Sequence, residues 1–191
     1  MKPAVGAALV LWRVTGAVDV TDLAGRLDAL AAAQVRLYRA TEGAAVCVYA
    51  EPVIEAAVAA VLPASAECSR LICIQQLAGA SAGAEAPWHY VVETDVLPAH
   101  EADFNAWYEH EHLPGLAAVP GTVSAARFVR EGPGGPRYRA CYELASIETF
   151  GSAPWLAVRA SAWSARVRPA FRETRRTMFE RVRSGSPIDP R

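Results

Sequence analysis

The chain has 191 residues, of which 52% are hydrophobic and 20% are charged, with a formal net charge of −1. That length and composition fit one large domain or two small ones with a proper core. The near-zero charge leaves no footprint for nucleic acid or an anionic membrane, and no apolar run reaches transmembrane length.

In chain order, MKPAVGAALVLW puts Lys2 before an apolar stretch, as a signal peptide would. Arg13 interrupts that stretch and no clear small-residue cleavage site follows, so Ala7–Val14 is read as a first strand. Asp19 or Thr21 can cap a helix running to about Ala33, with Leu23, Leu27 and Leu30 on its apolar face. Val35–Arg39 and Ala44–Ala50 read as paired strands around Glu42-Gly43. Glu51–Leu62 reads as a helix, with Pro52 near its start and Pro63 beyond its end, and Leu71–Leu77 as a strand.

The run Gly79–Pro87, GASAGAEAP, has the composition of a linker. Beyond it, His89–Val96 is a strand and Pro98–Leu113 a helix that Pro114 stops. Thr122–Arg130 and Arg137–Glu143 are strands joined by the turn-rich GPGGP. Ser146–Ala153 begins another helix, Trp155–Arg168 is a partly helical insertion, and Arg175–Arg183 is a closing strand. The cluster Arg172, Arg175, Arg176, Arg181 and Arg183, balanced by Glu173 and Glu180, reads as a solvated face. Cys47, Cys68, Cys73 and Cys141 form no CxxC pair and no metal-ligand spacing, which points to a reducing, cytoplasmic setting.

The order βαββαβ therefore occurs twice, in residues 1–78 and 88–191, with 79–87 between them. The predicted fold class is α+β: tandem ferredoxin-like units whose sheets face each other, so that a single chain forms an intrachain α+β barrel with its helices outside. Space between the sheets, or between a sheet and its first helix, suits a small-molecule ligand. Exposed sheet edges leave a homodimer open.

The polar chemistry is concentrated in FNAWYEHEHLP, from Phe104 to Pro114. Helical spacing puts Phe104, Tyr108 and His112 on one stripe and Trp107 and Glu111 on the next, with Glu109 and His110 toward solvent. Where this half has Trp107-Tyr108 and Glu111-His112, the first half has Arg26-Leu27 and Leu30-Ala31, so the first half reads as scaffold. His112, in what should be a last helical turn beside Glu111, is expected to favour its charged form and to serve as acid or base, with Tyr108 donating to a developing oxyanion. The bland alternative is that Glu111 and His112 fix the helix end.

Arg127, on an otherwise apolar strand face, needs a partner. It binds a substrate carboxylate or carbonyl, or it pairs with Glu111 or Glu143. His89, Glu93 and Asp95 share a strand face by alternation, with His89 read as solvated and Asp95 as a ligand contact. His110 and His112, two apart on a helix, are poor metal geometry, and no metal is expected. No phosphate loop or nucleophile elbow is present, so no nucleotide cofactor and no serine hydrolysis are expected.

The pattern of Phe104, Trp107, Tyr108, Glu111, His112 and Pro114, followed by Pro120-Gly121 and an Arg-bearing strand, resembles the dimeric α+β barrel superfamily and more narrowly its EthD-like branch. The resemblance covers roughly Tyr90 to Val182. It implies a cofactor-independent isomerase, cyclase or lyase acting on a small aromatic or polyketide-like carbonyl compound. His112, Tyr108 and Glu111 would be catalytic there, and Trp107, Phe104, Arg127 and Asp95 would bind the substrate. A non-catalytic ligand-binding or accessory protein and a haem-binding or monooxygenase relative are the rival readings, because a fold hosts many activities.

Overall fold

The structure is a computed structural model that describes residues 3–31 and 35–183. Eight strands form a closed barrel: β1 (Ala8–Val14), β2 (Val35–Ala40), β3 (Val46–Ala50), β4 (Glu67–Ala78), β5 (Trp88–Val96), β6 (Thr122–Glu131), β7 (Tyr138–Leu144) and β8 (Phe171–Val182). The strand order around it is β1-β3-β2-β8-β5-β7-β6-β4. Within each half the chain makes a four-stranded antiparallel sheet. The halves join edge to edge through β2–β8 and β4–β6, where Tyr38 lies opposite Arg181 and Leu71 opposite Arg130. The inner faces therefore do face each other, as expected, but the seams are backbone ladders. Closure consumes every sheet edge, which removes the edge-pairing route to a homodimer suggested by the sequence.

Alternation along the strands sorts side chains to two sides. Leu9, Leu11, Tyr38, Cys47, Tyr49, Leu71, Val91, Phe128, Cys141 and Phe179 fill the lumen. The outer face of the first sheet packs on α1 (Val20–Ala31) and α2 (Glu55–Val61) through Trp12, Leu23, Leu27 and Val58. Asp19 is the cap of α1, its Oδ1 accepting from the N–H groups of Thr21 and Asp22 at 3.0 Å. Leu30 is exposed and lies off the apolar face. The last residues expected for this helix fall outside the described residues.

The second sheet carries α3 (Glu101–Trp107), a five-residue π-turn (Tyr108–His112), α4 (Leu113–Ala117), α5 (Ala153–Arg159) and α6 (Ala162–Val167). Pro114 does not stop the helix, as the sequence suggested. It lies inside α4, and the turn before it widens so that the Leu113 N–H reaches the Tyr108 carbonyl five residues back. Proline lacks an N–H and its ring crowds the carbonyl four residues earlier, so one π-turn relieves the conflict and the helix continues.

The segment expected to be a plain linker is pinned: Gly79, Ala80 and Ser81 donate to the carbonyls of Val123, Ala117 and Thr122. A side chain at Gly79 would meet the Thr122 carbonyl oxygen at 2.0 Å. The last strand begins at Phe171, four residues earlier than expected. No helix among the described residues is long and apolar enough to cross a membrane.

Candidate functional site

The π-turn sets the geometry of the aromatic run. With five residues between successive hydrogen-bonded levels, His112 lands on Trp107, ring centroids 4.1 Å apart and planes 20° apart. Tyr108 meets the same imidazole edge-on at 5.3 Å, and Phe104 packs behind Tyr108. Phe104, Trp107, Tyr108 and His112 are all buried, while Glu109 and His110 are exposed. Trp107 is held from the other side, its Nε1 donating to Ser164 Oγ at 3.2 Å.

This wall faces a cavity between the π-turn and the outer face of the second sheet. Tyr90 and Tyr142 line its floor, Trp155 and Phe171 its side, and Arg159, Arg168 and Arg176 its rim. Arg159 comes from the last turn of α5, Arg168 from the turn after α6 and Arg176 from β8. Arg176 had been assigned to the solvated cluster. It is indeed exposed, but it also lines this cavity. Three buried polar atoms of lining residues have no hydrogen-bond partner: His112 Nδ1, Tyr142 Oη and Trp155 Nε1.

The electrostatics of His112 run opposite to the sequence expectation. It is not in a last turn, because α4 continues the helix, so no carbonyl dipole favours its cation. Burial comes first among the causes that push its pKa down to about 3, followed by Arg168, Arg159 and Arg127. At neutral pH the imidazole is uncharged. Burial also raises the Tyr108 phenol to about 12 against the opposing pull of Arg127, so it remains a neutral donor.

Two other candidates lie elsewhere. Glu111 turns away from His112, and its carboxylate accepts from the Ser161 hydroxyl, which itself caps α6. Asp95 accepts from the Arg137 N–H at 2.7 Å, outside the cavity. A bulge between Glu93 and Asp95 breaks the alternation that would have put both on one face.

Arg127 pairs with neither expected glutamate. It stands on the helix-facing side of β6, opposite Ala140, whereas Glu143 points into the lumen. Its guanidinium lies 4.2 Å from the Tyr108 ring centroid and donates to Asn105 Oδ1 at 2.9 Å. Asn105 is thus a partner of the buried charge and also donates to Tyr138 Oη. Arg127 braces Tyr108 from behind and does not line the cavity.

The lumen holds a second polar cluster, centred on His89, the one member expected in solvent. His89 is 3% exposed, stacked on Tyr38 at 4.4 Å, with Nε2 3.2 Å from Tyr49 Oη. Its Nδ1 lies 3.1 Å from Glu143 Oε1, an ion contact without hydrogen-bond alignment. Burial, the largest single effect, would lower the imidazole, but Glu143 and Cys141 together outweigh it and raise the pKa to about 9. Further along, Arg139 and Arg13 both bind Glu93, holding its carboxyl below the usual range despite burial. Alternation with Val91 and Cys141 was the signal that these groups point inward. Among the described residues no three His, Cys, Asp or Glu side chains cluster as metal ligands.

No protein-family model matches the chain, and no curated protein matches it. Solved structures do. A Fusobacterium nucleatum protein provisionally named a monooxygenase superposes with a TM-score of 0.70 at 7% identity, covering 96% of this chain and 97% of that one. An anthrone oxidase-like protein gives 0.59 at 15% identity over 100% and 99% of the two chains. A haem-degrading enzyme from Listeria monocytogenes gives 0.57 at 11% identity over 91% and 98%. The fold is that of the dimeric α+β barrel proteins. At these identities the likeness speaks for architecture alone.

Proposed function

We propose that the protein binds a small aromatic carbonyl compound in the cavity under the π-turn, and that His112 exchanges a proton with it while Tyr108 donates a hydrogen bond to its oxygen. One observation carries this reading. Of the seven buried side-chain polar atoms without a hydrogen-bond partner among the described residues, three, His112 Nδ1, Tyr142 Oη and Trp155 Nε1, belong to residues lining that one cavity. Buried donors and acceptors are nearly always paired, so three orphans around one aromatic-walled space suit a ligand that completes them. A neutral imidazole with a free ring nitrogen is a proton acceptor, and a phenol that stays protonated is a suitable oxyanion donor. The resemblance of the Phe104–Pro114 run to EthD-like proteins supports the same assignment, with no cofactor required for isomerisation, cyclisation or dehydration. Glu111 and Asp95 drop out of the chemistry, and Arg127 becomes a positioning residue behind Tyr108.

The haem reading has less support. The His112 ring lies flat on Trp107, so its face is covered and it is not presented toward the cavity as a haem ligand would be.

The test is a panel of small aromatic ketones and phenols titrated into the wild type, Tyr142→Phe and His112→Gln by NMR. Perturbation of the Trp155 indole N–H in the wild type, weakened in both variants with unchanged far-UV spectra, is the expected result. Ligands that bind all three proteins equally, or that leave Trp155 unmoved, would defeat the assignment.

A further inference from the structure

We propose that the compound bound in this cavity is a small aromatic acid, recognised as its carboxylate by Arg159, Arg168 and Arg176. The inference rests on the reading of the cavity as a ligand site and adds the charge of the ligand. Three guanidinium groups from three separate elements meet at its rim. Among the described residues none of them lies within ion-pair distance of a carboxylate, whereas Arg13, Arg36, Arg39, Arg137, Arg139 and Arg166 each reach one within 3.4 Å. Arg127, Arg130, Arg172, Arg175 and Arg181 also lack such a partner, but these three gather at one cavity whose lining holds no acid. The three also feel one another: burial, then Arg159 and Arg176, hold Arg168 below the usual arginine range. Like charges gathered at a partly buried site without an acid are costly, and an incoming anion offsets that cost.

The rest of the lining sets the class of anion. The walls are the rings of Trp107, Tyr108, Trp155 and Phe171, which suit a planar apolar body. Tyr142 Oη and Trp155 Nε1 are unpartnered and can donate, and a carboxylate has about four lone-pair sites to fill, more than the arginines need occupy. The other titratable groups facing the cavity are Tyr90, Tyr108 and Tyr142. Burial raises all three, so they stay neutral and leave the positive field uncompensated. The same guanidiniums help to hold His112 neutral. A bound carboxylate would offset that field and raise the basicity of His112 part of the way, against the burial that is the larger cause, so binding and proton transfer are coupled.

The experiment compares benzoate with benzamide, which has the same shape and no charge, and adds acetate and inorganic phosphate as anions without a ring. Binding is followed by calorimetry and by the NMR titration of the His112 imidazole in the full chain. Benzoate should bind at least about tenfold tighter than benzamide, the scale of one charge-assisted hydrogen bond. Arg168→Met and Arg159→Met should each erase that preference while keeping the weak benzamide binding. The His112 midpoint should rise with benzoate and not with benzamide. Arg183→Met, away from the cavity, serves as the charge control and should keep the preference. Equal binding of benzoate and benzamide, with Trp155 perturbed by both, would overturn the acid and leave the cavity reading intact. Acetate or phosphate binding as tightly as benzoate would overturn the aromatic part. Binding of none of the four would overturn the acid, and the titration with ketones and phenols then decides the cavity reading by itself.

Discussion

Acid titration of His112 is the sharpest check on the site. Its folded-state pKa lies near 3, against about 6.5 for a free histidine, because burial and the nearby arginines disfavour the cation. Between those values the unfolded chain binds one proton more than the folded one, so stability falls as pH drops below about 6.5 and levels off near 3. The slope is about 1.4 kcal/mol per pH unit, so moving from pH 7 to 4.5 costs roughly 2–3 kcal/mol, or roughly 5–10 °C of melting temperature in a chain of this size. The carboxylates titrate in the same range, so the measurement must be a difference. We expect wild type and His112→Gln, followed by urea unfolding at constant ionic strength, to converge or cross on acidification as the wild type loses that extra increment. A gap that stays constant from pH 7 to 4.5, or that moves in favour of the wild type, would mean that His112 is not held neutral and that the proposed proton acceptor is wrongly assigned.

The lumen histidine should act on the other limb. The pKa of His89 is raised to about 9, so its contribution is complete below pH 6.5 and is lost as pH rises through 9. This amounts to about 3 kcal/mol that His89→Gln should abolish, and an unchanged alkaline limb in that variant would contradict the Glu143 pairing. Gly121→Ala should cost more than about 3 kcal/mol, since φ is +93° and the new Cβ would sit 2.1 Å from Thr149 Oγ1. Gly83→Ala, at φ +97° with open space around it, should cost only about 1–2 kcal/mol, and equal losses in calorimetric melts would refute the close approach. Arg127→Met should change stability by less than about 1 kcal/mol, because removing a buried charge that lacks a carboxylate offsets the lost aromatic and Asn105 contacts. A loss above about 3 kcal/mol in denaturant titrations would show the guanidinium to be indispensable to the fold.

Periodicity made the barrel and one wall of the site readable. The spacing of Phe104, Trp107, Tyr108 and His112 announced a buried aromatic face, and those four side chains are buried. What failed was everything that depends on a local departure from regular geometry or on distance in the chain. Pro114 reads as a stop by rule, and nothing nearby announces that a π-turn will absorb it and carry the helix on to Ala117. The bulge after Glu93 turns Asp95 away, and a single-residue slip of that kind reverses every later side chain on the strand. The rim arginines come from α5, the turn after α6 and β8, and no one of them differs from an ordinary surface arginine until the elements pack. His89, Glu93, Arg13 and Arg139 carry a legible signal in the sequence. Each is a charged or polar residue at an inward position of an apolar strand, and the signs are complementary.

Those two polar clusters also differ in a way that decides between them. In the lumen every charge faces one of opposite sign: Glu93 lies between Arg13 and Arg139, and Glu143 between His89, Arg36 and the Tyr38 hydroxyl. Four of these contacts join one half of the chain to the other, Arg13–Glu93, Arg36–Glu143, Tyr38–Glu143 and Tyr49–Arg139, so the network reads as a polar clamp that holds the halves in register. A buried network with its charges matched has little to gain from a ligand, and breaking one member leaves an uncompensated ion. Under the π-turn the balance is the reverse. Positive charge converges with no acid to meet it. Unpaired polar atoms occur at both clusters, His89 Nδ1, Arg139 Nε and Glu143 Oε2 in the lumen and His112 Nδ1, Tyr142 Oη and Trp155 Nε1 here, so it is the charge balance that separates them. Folding alone does not satisfy that arrangement, and a molecule that supplies the missing charge and hydrogen bonds would. Charge balance therefore favours the proposed site outside the barrel wall over the lumen, and the barrel itself is the frame that holds the rim arginines together.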